Sequence, residues 1–160
     1  MDVKPQRREL TFHDLDEVVA DAERLLAHGY SQAGNWDLAQ VCEHLSEWMR
    51  YSIDGYPRAG CFIGSMLWLM KITIGRKIFR KVLATGTMRS GGPTMKATVP
   101  EPGGEASAAV NRLKETVQRF NGHAGQYQPS PLFGRLNRDE ALKLQLVHCA
   151  HHLSFLIPKH

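Results

Sequence analysis

The sequence predicts an all-α protein, a four-helix bundle in which a long crossover containing extra helix joins the second and third main helices. Three observations predict it. Apolar residues recur at spacings of three and four in several segments. Those segments are bounded by residues that start and stop helices. No run alternates apolar and polar residues between hairpin turns. A chain of 160 residues can bury one continuous core, so one domain over 1–160 is expected.

Leu15, Val18, Val19, Ala22, Leu25 and Leu26 form one apolar stripe on a first helix near 12–28, and Gly29 stops it. Asn35 is a suitable N-cap for a second helix over 36–54, which Gly55 and Pro57 close. The segment 61–84 predicts further helix, with Gly64 and Gly75 leaving open whether it is straight, bent or split. Its uninterrupted apolar stretch, Cys61 to Met70, is about half the 20 residues a membrane span needs. Glycine and proline dominate 86–104, which reads as a long connection. Ala109, Leu113, Val117 and Phe120 then mark a helix over 105–121, and Asn137 caps a last one over 138–157.

The hydrophobic fraction of 42% and the charged fraction of 22% are those of an ordinary globular protein and argue against a disordered or membrane-embedded chain. Cys42, Cys61 and Cys149 are odd in number and lack CxxC spacing, which argues against a disulfide framework and a cysteine zinc finger. The polar start, MDVKPQRREL, has no apolar signal stretch, so a cytoplasmic location is expected. The net charge of +4 is unevenly spread. Residues 1–54 carry eleven acidic and five basic side chains, whereas 55–100 carry eight basic ones (Arg58, Lys71, Arg76, Lys77, Arg80, Lys81, Arg89, Lys96) and no acidic one. Two readings of the basic segment 71–89 stand side by side. One is the wet face of a helix packed on its own bundle, with Ile72, Ile78, Val82 and Leu83 inward; the other is a docking surface for an anionic partner or membrane.

The chemistry is concentrated in histidines. His148 and His152 are one helical turn apart on one face, close enough to converge on one ion. His44, beside the apolar stripe of the second helix, is the candidate third ligand. Three imidazoles suit Zn, Ni, Fe or Cu and leave a coordination position open. The HxxxH spacing also arises from packing or hydrogen bonding, so it does not by itself select a metal, and His151 competes with His152 for the inward position. His13, His28, His123 and His160 stand near element ends and are expected to be exposed. Cys42 and Cys149 point away from the neighbouring histidines and are read as buried and inert. Trp36, Trp48, Trp68, Met49 and Met70 are read as core or pocket wall, while Glu43 and Glu47 either orient His44 or face solvent.

The stretches RREL, GYSQAGNWDLAQVCEHLSEWMRYSIDGYP and PLFGRLNRDEALKLQLVHCAHHLSFL together resemble the DinB/YfiT-like metalloenzyme superfamily, and within it a bacterial branch of unknown function. The resemblance implies a four-helix bundle holding one divalent metal, Zn or Ni foremost, on His44, His148 and His152. It further implies a small-molecule substrate, with thiol-dependent transfer using a low-molecular-weight thiol as the leading chemistry and metal-assisted hydrolysis as the alternative. Where familiar members read Arg-Gly-Gln after the paired histidines, this chain reads Leu153-Ser154-Phe155, which changes the side chains beside the metal. The expected partners are that substrate and a homodimer mate, with neither nucleic acid nor membrane.

Overall fold

The computed structural model describes residues 6–58, 60–90 and 98–159. Lys96 and His160 lie outside the described residues, as does the stretch 91–97 of the glycine-rich connection. The first helix, α1 (Leu15–His28), begins where the Asp14 side chain accepts a hydrogen bond from the Glu17 amide, with Asp16 and Glu17 against the positive end of the helix dipole. It ends at Gly29, whose φ of 76° lies in the region that glycine occupies without a Cβ penalty. Its cap amide returns to the Leu25 carbonyl.

A short strand, β1 (Tyr30–Gln32), leads into α2 (Leu38–Asp54). The N-cap of α2 is Asp37 rather than Asn35, because Gln40 stands three residues after Asp37 and completes a reciprocal capping box. The Tyr30 hydroxyl accepts from the Leu38 amide and so takes up a further free donor of the first turn.

The crossover continues as α3 (Cys61–Met70), a π-helical turn over Lys71–Gly75, and α4 (Arg76–Thr85). A Cβ at Gly75 would collide with the Leu132 carbonyl oxygen, so glycine lets the helix pass close to that loop. Phe79, buried beside Phe133, and the Arg76–Glu140 ion pair at 3.0 Å hold α4 in place. The helices α5 (Ala106–Gly122) and α6 (Arg138–Leu153) complete the set, capped by Glu105 and by the Asn137–Glu140 box.

The main core is shared by α1, α2, α5 and α6, which fits the predicted all-α bundle with a helical crossover. Leu15, Val18 and Leu25 meet Leu38, Leu45 and Met49 of α2, Leu113 and Phe120 of α5, and Cys149 and Leu153 of α6. Some expectations need correction. Leu26 is 38% exposed, since it falls on the edge of its stripe. The last helix stops at Leu153 instead of 157, and Leu156–Pro158 forms a strand, β2, antiparallel to β1 with Ser31 opposite Ile157. Three residues are too few to show a period of two, so this pairing left no trace in the pattern. Among the described residues, no helix is long and apolar enough to cross a membrane.

The N-terminal segment is tied down by charge. The Arg8 guanidinium meets both carboxylate oxygens of buried Asp21 and also donates to the Leu153 carbonyl, while Arg24 reaches the same carboxylate. Replacing Asp21 with Asn strips a largely buried guanidinium of its counter-charge, which costs about 3–5 kcal/mol when one partner of a buried pair is removed. Urea unfolding of Asp21→Asn measures this; a change below about 1 kcal/mol would place the pair with exposed ion pairs instead.

Candidate metal centre

His44 sits in the middle of α2, 1% exposed, and faces α6. Gln40 and His44 are one turn apart on the same face of α2, and both grip the end of the glycine-rich connection. Gln40 donates to the Pro100 carbonyl at 3.1 Å, and His44 Nδ1 lies 2.7 Å from the Thr98 carbonyl. A carbonyl can only accept, so the His44 proton sits on Nδ1 and its Nε2 presents a lone pair. That nitrogen lies 3.2 Å from His148 Nε2. Two lone pairs at this distance repel, so in the protein alone His148 donates its Nε2 proton to His44.

His152 closes the triad, its ring centroid 4.5 Å from His44 and 4.8 Å from His148. One nitrogen from each of the three rings lies within 4.8 Å of the other two. A tetrahedral ion bound at about 2.0–2.1 Å holds its donors roughly 3.4 Å apart, and the spacing here is of that order. The donors are neutral as well as close. Burial, ahead of a hydrogen bond to Thr98 that works the other way, brings the His44 pKa down to about 4. Burial, followed by His44 and His151, brings His152 down to about 2, and burial with the three neighbouring histidines holds His148 well below the ordinary value. A neutral imidazole is the form that binds a metal. Three histidines this close together could hold a metal ion.

Aromatic rings wall the cluster. Trp36 stacks on His152 with planes 8° apart, and Trp48 stands edge-on to His44 and His148. Tyr56 packs on Trp48, and burial pushes its hydroxyl up to about 12. Trp68, expected as core or wall, is instead 58% exposed on α3. His151 lies outside the triad against Phe155, its Nδ1 buried with no hydrogen-bond partner among the described residues. Glu43 and Glu47 pair with Arg112 and Arg50 rather than with His44. Cys42 and Cys149 are fully buried; burial pushes the Cys42 thiol up to about 12 and Cys149 up as well, which leaves both thiols protonated. His13 and His28 are exposed, whereas His123 is half-buried against Tyr127. The Thr98 carbonyl is the functional group that sequence reasoning missed, because a backbone acceptor in an irregular connection carries no residue-type signal.

Fold and site together define a helical bundle whose second and last helices bring three neutral histidines to one point. The chain belongs to the family described as "Protein of unknown function (DUF1569)", whose model matches residues 4–159. No curated protein and no solved structure matches it.

The lowered histidine pKa values set an acid limit on the metal-free protein. Below about pH 6.5 the unfolded chain protonates these histidines while the folded one does not, so stability falls with pH until the folded groups titrate, for His44 near 4. Each such histidine contributes about 1.4 kcal/mol per pH unit in that window. Between pH 7.5 and 5.5, unfolding of chelator-treated protein should show a loss of about 2–4 kcal/mol, reduced by roughly a third in His44→Gln. An equal loss in both would show that His44 is not held neutral.

Proposed function

We propose that the chain binds one divalent metal ion through His44, His148 and His152 and uses it in thiol transfer to a small electrophile, as the likeness to DinB/YfiT-like proteins implies. One observation carries the metal reading: three neutral imidazoles, His44 buried and His148 and His152 half-buried, converge, with the His44 lone pair aimed at the cluster by the Thr98 carbonyl. Without a cation, the His44 and His148 Nε2 atoms share one proton between them, and a metal would take that proton's place. For both Nε2 atoms to serve as donors, His148 moves its proton to Nδ1.

With three uncharged ligands, a bound ion would supply Lewis acidity that favours thiolate over thiol at neutral pH. The protein's own residues shape what can be activated. Cys42 and Cys149 stay protonated within the core, so the nucleophile comes from a bound small-molecule thiol rather than from either side chain. Trp36 and Trp48 exclude water from one side of the cluster and offer flat apolar surface to a substrate.

Elemental analysis of untagged protein should find close to one divalent ion per chain, with His148→Ala and His152→Ala clearly substoichiometric. Full retention by either variant removes that residue from the site. Metal-loaded protein, offered small electrophiles with glutathione, bacillithiol or mycothiol, should consume electrophile only when a thiol is present. Turnover without thiol would replace transfer with hydrolysis.

A further inference from the structure

The crossover helix carries an apolar surface that the metal centre does not explain. Nine of the ten residues of α3 are apolar or glycine, so the helix has no polar side to give to water. Phe62 is 85% exposed, and Met66, Trp68, Leu69, Ile72 and Ile74 are each about half exposed. At 3.6 residues per turn, Trp68, Ile72, Leu69, Phe62 and Met66 fan across about 160° of the helix. A globular helix instead turns its apolar side inward, and an exposed patch of this kind marks an interaction surface. Ile72, expected to face inward, is part of it.

The charge of the same helix indicates what covers it. Past the π turn, Lys77, Arg80 and Lys81 are exposed and form no ion pair among the described residues, and Arg76 adds a partly engaged cation. Because Gly75 and Phe79 hold the inner side of this helix against the bundle, the apolar and cationic patches both face outward, end to end. No acidic residue occurs anywhere in 55–100. A convex helix with a broad apolar arc, a tryptophan and a cationic end matches a fluid anionic interface, which needs no complementary groove. A protein partner would have to wrap most of that arc.

We propose that α3 and α4 dock the protein on an anionic lipid bilayer, with the side chains of Phe62, Met66, Trp68 and Leu69 entering the headgroup–acyl boundary and Lys77, Arg80 and Lys81 meeting the lipid phosphates. Docking is peripheral, since α3 is too short to span.

Co-sedimentation of the full chain with phosphatidylcholine vesicles, with and without phosphatidylglycerol, tests this alongside light scattering. Binding is expected only to the anionic vesicles and should be lost as salt rises from about 0.1 M to about 1 M. Lys77→Ala with Lys81→Ala should weaken it about 25-fold, at about fivefold per cation near the surface. Phe62→Ser with Leu69→Ser should weaken it about tenfold or more. Both pairs lie on the surface, and unchanged circular dichroism will show that they fold. Absence of binding overturns the proposal. So does binding indifferent to the Phe62/Leu69 change, which reduces the contact to charge alone. A dimer broken by that change without vesicle binding also overturns it and gives the face to a second copy of the chain.

Discussion

Desolvation of the histidine cluster is the constraint on which the rest depends. An imidazole in water near neutral pH titrates freely; one enclosed between two helices loses its charged form, because the interior cannot repay the hydration of the ion. Here three rings share that fate within one small volume; burial dominates in each, and neighbouring histidines add to it. Their nitrogens must then find hydrogen bonds, each other, or a cation. The Thr98 carbonyl satisfies one and the His44–His148 contact two more, and a cation could replace the proton of that contact.

The fold positions this cluster from both ends. The connection that follows the crossover helices is clamped to α2 by Gln40 and His44, so its placement and the orientation of His44 are one event. At the other end, β1 and β2 pair just beyond His152, and Arg8 bridges Asp21 to the Leu153 carbonyl. The last turn of α6, where helices ordinarily fray, is thereby held. Stacking on Trp36 fixes the His152 ring within that turn. Loosening either clamp should loosen the donors, even though no residue of the clamps other than His44 belongs to the triad.

Periodicity made the helices legible because burial on one side of a helix leaves a repeat of three and four, and the four long stripes define the core here. His148 and His152 were legible for the same reason, since one turn of helix places them together in any context. His44 was visible only as a polar residue bordering an apolar stripe; bringing it to α6 is tertiary packing, which spacing does not encode. Short-range competition misled at element ends. Asp37 outbids Asn35 through its reciprocal bond with Gln40, and α6 yields to a three-residue strand whose partner lies more than 120 residues away in sequence. Trp68 looked like core because its neighbours are apolar, whereas α3 is apolar on all sides and composition cannot say which side is covered.

If the three neutral imidazoles are held together at a cost, a cation relieves it. Thermal unfolding of metal-free protein, before and after one equivalent of zinc, tests it most directly in wild type and His44→Gln. An ion bound only by the folded state at 100 times its Kd adds about 2.7 kcal/mol, or roughly 5–10 °C for a chain of this size. A rise of that order is expected in wild type and little or none in His44→Gln. The same transition temperature with and without zinc in wild type, or an equal rise in the variant, would contradict it.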